Sequence, residues 1–261
     1  MKYALVNGIK KLPNPKQSGI CAFCGSKVIS KCGEVRAWYW SHCSKRDCDV
    51  WWENETEWHR NWKGHFPDDW QEVIHYADDG EKHIADVKTV HGSVLEFQHS
   101  FITSEERLSR DNFYPKLVWV VDGLRRKRDK EQFLKAIKDG VQIAPNPLLM
   151  KIYTEESRIV NEWSSSKVPV FFDFGEEQRI WWLLPFKEGG WSYVVPFSRQ
   201  NFIDFNLGKM REEFNSFLRN CIQSYKQLFH QIDANRRRQQ VVINSRRRFL
   251  PNHVLRRSRR L

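Results

Sequence analysis

The sequence predicts an α/β fold, a mixed sheet covered by helices, and three observations carry that expectation. Helical and strand-like patterns follow one another through the middle of the 261-residue chain as helix, strands, helix, strand, helix, strands. The stretch "HIADVKTVHGSVLEFQ" alternates apolar and polar residues about a glycine, as a hairpin does. "KLVWVV" is continuously apolar and is stopped by Asp122-Gly123, the pattern of a buried strand.

Taken in order, residues 1–20 carry Gly and Pro punctuation and read as a leader. "ICAFCGSKVISKCGEVRAWYWSHCSKRDCD" is a compact Cys-rich module with two short strand-like runs. "ENETEWHRNWKGHF" reads as a helix. Trp58 and Trp62 share one face, Glu55, His59 and Lys63 lie along a neighbouring one, and Pro67 stands just past its end. Strands are expected at about 72–77, 83–89 and 94–99. A second helix opens at "TSEERLSRDNFY", where Thr103 and Glu106 have capping-box spacing. "DKEQFLKAIKDG" is a helix closed by Gly140, and "VPVFFDFG" with "RIWWLLPF" forms a strand pair. "MREEFNSFLRNCIQSYKQLFHQIDA" is a long amphipathic helix that runs into a basic tail. The expected organisation is therefore a leader and metal module over 1–52, a central domain over 53–235 and an Arg-rich tail over 236–261.

The chain is long enough for one sizeable core with a small accessory module. It has no apolar run of transmembrane length and no signal-like N-terminus, so a soluble cytoplasmic protein is expected. The net charge of +11 is concentrated at the end: ten arginines and no acid follow Asn235, leaving about +1 for the rest. Arg236, Arg237, Arg238, Arg246, Arg247 and Arg248 open a stretch suited to a polyanion, since each arginine that neutralises a phosphate releases counterions. Seven of the twelve tryptophans lie between Trp38 and Trp70, where core packing is favoured over base stacking.

The hairpin places acids where a sheet prefers apolar residues. A three-residue loop Val90-His91-Gly92 puts glycine at the left-handed position and sets Val87 opposite Leu95 and Asp86 opposite Glu96. Ile84 then faces Gln98, Lys88 faces Val94, and Ala85, Val87, Leu95 and Phe97 share the apolar face. Opposed carboxylates share a proton or hold a cation, and oxygen ligands from two strands suit Mg²⁺. The competing reading is a solvent-facing hairpin with a Lys88–Glu96 ion pair.

Five of the six cysteines lie between Cys21 and Cys48. Cys21-x2-Cys24 followed by His42 and Cys48 has the spacing of a structural zinc site with ligands arriving as two pairs. His42 and Cys43 point opposite ways in a strand, so an all-cysteine set with Cys43 competes with the set containing His42.

"GEKHIADV", "LEFQHSFITSEERLSRDNFY" and "WVVDG", preceded by "CAFCG" and "ETEWHRNWK", resemble the CoiA-like competence-protein family. Its central domain is similar to the PD-(D/E)XK, restriction-endonuclease-like, nuclease superfamily. The likeness runs from about Cys21 to Gly123. It implies a restriction-endonuclease-like mixed sheet flanked by helices, a small N-terminal zinc module and a basic C-terminal helix and tail. It implies metal-dependent hydrolysis of phosphodiester bonds in nucleic acid, most readily DNA, in competence, recombination or mobile-element defence. Asp86 and Glu96 would hold Mg²⁺ or Mn²⁺, Glu57 would be an accessory acid aimed at the same site, and His42 would complete the zinc set. The pattern asks for lysine where Gln98 stands, with Lys88 on the same predicted face as a substitute cation. Arg107 and Arg110, spaced with Tyr114 on one side of the second helix, would clamp phosphates or join a surface ion-pair network. A catalytically weak or inactive nucleic-acid-binding module of the same fold is the alternative.

Overall fold

The computed structural model describes residues 1–35, 37–44, 48–51, 55–210 and 212–248, without the side chains of residues 236, 240 and 242–248. The chain divides into two compact units, Met1–Asn215 and Ser216–Leu261.

The first unit begins with a five-stranded antiparallel sheet. Its strands are β1 (Ala4–Val6), β2 (Ile9–Lys11), β3 (Ser18–Ile20), β4 (Lys27–Lys31) and β5 (Tyr39–His42), in the order β2-β1-β3-β4-β5. The expected leader is thus three strands. Asn7 and Gly8, both at positive φ (52° and 76°), form the tight turn that pairs Val6 with Ile9. Ala4, Cys21, Val28 and Trp40 form this sheet's own small core.

The remaining elements build a nine-stranded mixed sheet and its helices. In chain order they are α1 (Glu57–Lys63), β6 (Gln71–Tyr76), β7 (Lys82–Lys88), β8 (Val94–Gln98), α2 (Ser104–Phe113) and β9 (Leu117–Asp122). Then come α3 (Asp129–Asp139), β10 (Val141–Pro145), β11 (Leu148–Tyr153), α4 (Arg158–Trp163) and β12 (Val170–Asp173). β13 (Arg179–Glu188), β14 (Trp191–Ser198) and α5 (Arg199–Asn206) follow, and α6 (Phe214–Arg248) ends the described chain. The strand order is β10-β11-β14-β13-β12-β9-β8-β7-β6. Among the described strands only β8, β9 and β12 run parallel to one another, and all their residues are buried, as expected of parallel strands covered on both faces.

The hairpin register is the expected one. Val87 pairs with Leu95 and Lys88 with Val94, and Gly92 at φ 79° closes the loop. Both α1 and α2 are capped at their N-termini by threonine side chains, Thr56 and Thr103. α6 starts at Phe214 and continues past the expected end at Ala234 to Arg248. Arg237 and Arg238 are exposed on it, whereas the side chains of Arg236, Arg246, Arg247 and Arg248, and all of 249–261, lie outside the described residues. Among the described residues, no helix is long and apolar enough to cross a membrane.

α1 is tied to the sheet by one buried acid. The Asp173 carboxylate, at the end of β12, accepts the indole N–H of Trp58 (3.0 Å) and of Trp62 (2.8 Å), and it also pairs with Arg199. Trp62 is fully buried and stacks on Phe97 of β8 at 5.6 Å. Trp62→Phe keeps most of that packing and removes one donor from a buried charge. A loss of about 1.5–3 kcal/mol is expected, read as a lower urea midpoint at unchanged slope; an unchanged midpoint would show that Asp173 does not anchor the helix.

Candidate metal centre and carboxylate cavity

The tight turn Cys21–Ser26 brings two thiols together: Gly25 N–H bonds Cys21 O and Cys21 N–H bonds Ser26 O, with Gly25 in the left-handed region at φ 70°. His42, at the end of β5, and Cys48 supply the second pair. The ligand atoms of Cys21, Cys24, His42 and Cys48 all lie within 4.8 Å of one another. Cys21 Sγ and Cys48 Sγ are 3.8 Å apart, and Cys24 Sγ lies 3.3 Å from His42 Nε2. A tetrahedron with metal–sulfur bonds near 2.3 Å has edges of about 3.8 Å, so this set could hold a metal such as zinc. The sulfur separation is far beyond a disulfide's. Cys43 is exposed and outside the set, so the neighbouring histidine is the fourth ligand candidate.

Desolvation pushes the Cys48 thiol up to about 12 and also raises Cys21. Desolvation acts on Cys24 in the same direction, but hydrogen bonds with Ser26 and His42 outweigh it and hold that thiol down to about 6. A bound cation would favour all three thiolates.

The second feature lies where β7 and β8 part. Their paired ladder comprises Val87–Leu95 and Lys88–Val94; beyond it, side chains take over the backbone donors. The Asp86 carboxylate accepts Phe97 N–H at 2.9 Å, and Glu96 accepts Asp86 N–H at 3.4 Å. Ile84 N–H, the next β7 donor on that edge, goes to the Asp49 carboxylate at 2.6 Å. The two predicted acids are therefore brought together, Glu96 deep (side chain 6% exposed) and Asp86 nearer the mouth (24%).

They open on a cavity of about 50 Å³ lined also by Met1, Asp49, Trp51, Glu55, His59, Lys63, Glu72, Ile84 and Arg110. Such a volume admits an ion or a water, not a nucleotide. Five acidic side chains face three cationic groups, the Lys63 ammonium, the Arg110 guanidinium and the N-terminal ammonium of Met1, so acids outnumber cations in a desolvated space. Lys63 is almost fully buried, with its Nζ 3.3 Å from Glu72 and 3.7 Å from Asp86, and it is paired with Glu55 as well. Burial alone would lower its pKa, yet Glu72, Asp86 and Glu55 hold it above the ordinary value, so it stays cationic. Arg110 reaches Glu96 at 3.3 Å.

Glu72, in the stretch of β6 opposite Asp86, has φ 47°, a left-handed backbone that costs a non-glycine residue on the order of 1–3 kcal/mol. There its carboxylate accepts the N–H groups of Lys2 (2.8 Å) and Tyr3 (3.1 Å). Burial would raise its pKa, but Lys63, then the N-terminal ammonium and these amides, bring it below the ordinary value. Glu96 behaves oppositely. Burial and then the charge of Asp86 push it well above the ordinary value, against only partial relief from Arg110. His59 Nδ1 accepts Thr56 N–H at 3.3 Å while the Thr56 hydroxyl lies 2.9 Å away. An amide can only donate, so the imidazole proton sits on Nε2 and His59 caps its own helix.

Other expected site residues lie elsewhere. Glu57 is exposed on the first turn of α1 and does not line the cavity; Glu55 and Lys63 do. The difference is helical phase: Glu55, His59 and Lys63 recur every four residues, and Glu57 falls off that stripe. Gln98 is buried, with its amide donating to Ser100 O and Oγ, both at 3.3 Å, and it is not part of the cavity wall. Lys88 Nζ is 2.9 Å from His75 Nδ1, and Lys88 does not line the cavity. Arg107 is buried against Trp163, where it bonds Glu162 O and Ser165 Oγ, so it braces α2 against α4. Arg110 alone of the helix pair faces the acids. Asp49, Glu55, Lys63 and Glu72 were missed as members of the site by sequence reasoning.

No family model matches the chain, and no curated protein or solved structure matches it significantly.

The raised pKa of Glu96 has a measurable sign. Above the ordinary carboxylate value of 4.5 the unfolded chain releases this proton while the folded metal-free chain keeps it. Stability therefore falls as pH rises from there until the folded value is passed. Glu72, lowered, loses its contribution on the acid side of 4.5 and does not obscure that window. Metal-free Glu96→Gln is expected to be more stable than the wild type at neutral pH and to show a flatter profile above pH 4.5. Urea unfolding across that range checks this, and parallel profiles would refute it.

Proposed function

We propose that the chain is a metal-dependent, nuclease-like DNA-processing protein of the restriction-endonuclease-like type, with zinc in its Cys/His centre. The observation that carries this reading is the pair Asp86 and Glu96, held together in one desolvated cavity whose acids outnumber its cations. Groups kept at such electrostatic cost cluster at functional sites. A hard divalent ion, Mg²⁺ or Mn²⁺, fits the donor set, because carboxylate oxygens are its preferred ligands and its charge would offset the excess. Such an ion supplies a polarised phosphoryl oxygen and a water of lowered pKa.

Asp86, at the mouth, and Glu96, behind it, would hold the ion. Lys63, 3.7 Å from Asp86, would supply from behind the acids the fixed positive charge that the family pattern gives to a lysine at Gln98. Because the cavity excludes a nucleotide, the phosphodiester would meet these groups at its mouth. The arginines of α6 and the tail, beginning with Arg236–Arg238, would hold the nucleic-acid backbone, and a cytoplasmic setting suits this work.

One observation favours the inactive binding module. Gln98 is turned to Ser100, and among the described residues the Cys/His set is the one group of three or more metal-ligating side chains in mutual reach. Cleavage separates the two readings. Purified protein with Mg²⁺ or Mn²⁺ is expected to cut single- or double-stranded DNA. Asp86→Asn and Glu96→Gln should abolish cutting, and Lys63→Met should slow it by about 10²–10³-fold. Retained DNA binding without cleavage under any of these conditions would leave the binding module; full activity in the Asp86 and Glu96 variants would remove the site. Metal analysis tests the zinc assignment: about one zinc per chain, lost in Cys21→Ser and kept in Cys43→Ser, is the expected result.

A further inference from the structure

The metal centre and the carboxylate cavity are joined by four residues. Cys48 belongs to the Cys/His set, and Asp49, the next residue, is buried and lines the cavity. Its Oδ2 accepts the Ile84 N–H at 2.6 Å; its Oδ1 accepts Trp51 N–H at 3.0 Å and lies 2.8 Å from His83 Nδ1. Ile84 and His83 are on β7, just before Asp86. Trp51 in turn stacks on the His83 ring at 3.3 Å, and its carbonyl accepts Arg110 Nη2 at 2.8 Å. The other Nη of the same guanidinium bonds Glu96.

Each acid of the proposed ion site is thus held from the Cys48 side, Asp86 through β7 and Glu96 through Arg110. The β7–β8 ladder itself ends at Val87–Leu95, and beyond it the two strands are joined by the side chains of Asp86 and Glu96, so the contacts from the Cys48 side add to those two bonds and to the β6–β7 pairing. Cys48 and Asp49 share one peptide unit, about 3.8 Å between Cα atoms, so a Cys48 thiolate held by metal restricts the backbone from which Asp49 reaches Ile84.

We infer that Asp49 is a positioning residue through which metal in the Cys/His centre sets the geometry of the carboxylate cavity. The zinc module then does more than stabilise its own sheet: occupancy of one metal site prepares the other. The inference rests on the metal assignments proposed above, but not on the cleavage reaction. Because such linkage is reciprocal, an ion in the cavity also strengthens retention of zinc by the same factor.

The test uses the full chain and Asp49→Asn, which preserves shape and removes the charge. Zinc content should stay at the wild-type level. The Ile84 amide should exchange its hydrogen at least tenfold faster, and Mn²⁺ affinity, followed by electron paramagnetic resonance, should fall at least tenfold. Stripping zinc from the wild type should produce the same two changes, and Mn²⁺ should slow the loss of zinc to a chelator. A zinc-loaded Asp49→Asn protein with wild-type Ile84 exchange and wild-type Mn²⁺ affinity overturns the inference. Wild-type protein that binds no Mn²⁺ defeats the nuclease reading instead, and Ile84 exchange in the zinc-loaded variant then decides the role of Asp49 alone. If zinc removal unfolds the protein, the same variant, which keeps its metal, remains the deciding case.

Discussion

The site depends on the parting of β7 from β8 after the Val87–Leu95 pair. A strand that leaves its neighbour inside a protein strands its backbone donors, and a buried N–H without a partner is costly. Here three carboxylates fill the gap: Asp49 on Ile84, Glu96 on Asp86 and Asp86 on Phe97. The acids are therefore required by the backbone before any ligand is considered. Having satisfied those donors, the ionised acids of the cavity need positive partners from elsewhere, and the surroundings follow from that need. Lys63 comes from α1, Arg110 from α2, and the segment just before β1 brings the backbone amides of Lys2 and Tyr3 and the N-terminal ammonium of Met1 to Glu72.

Positions of the cations follow from how the helices are fixed. α1 delivers Lys63 only because Trp58 and Trp62, on its other face, are held by Asp173 and by stacking on Phe97. Phe97 is itself the residue whose N–H binds Asp86, so one strand position serves the core with its side chain and the site with its backbone. α2 is braced differently: Arg107 locks it against α4, which leaves Arg110 directed at Glu96. Two arginines one turn apart thus take unrelated parts, one in packing and one in charge balance.

Local patterns were legible where local physics decides. Gly92 and the alternation around it specify the hairpin register, and the threonine caps of α1 and α2 mark both helix starts. The stripe Glu55, His59, Lys63 is visible as helical spacing, but spacing does not say which stripe of a helix faces a site, and the resemblance points to Glu57, which lies off the stripe that lines the cavity. Asn7-Gly8 between Val6 and Ile9 carried a hairpin signal that the surrounding Gly and Pro residues masked as a leader. β10, β11 and β14 contain or adjoin prolines (Pro145, Pro147 and Pro196), which speak against strands unless the strand lies at an edge or an irregularity. Asp49 had no local signal, because the partners that give it meaning stand 34 and 35 residues away.

The wide separation in sequence of the groups around the cavity bears on how the chain reaches its native state. Lys2 and Glu72 are 70 positions apart, and Trp58 and Asp173 are 115 apart. Closing loops of that length is entropically uphill until the contacts at their ends repay it. The β7–β8 hairpin can form early from neighbouring residues, but its acids then lack the lysine and the amides that balance them. The cavity is therefore complete only once Lys2 and Tyr3 have met Glu72 and α1 has docked on Asp173. Until then, mutual repulsion among its carboxylates works against the collapse that would complete it.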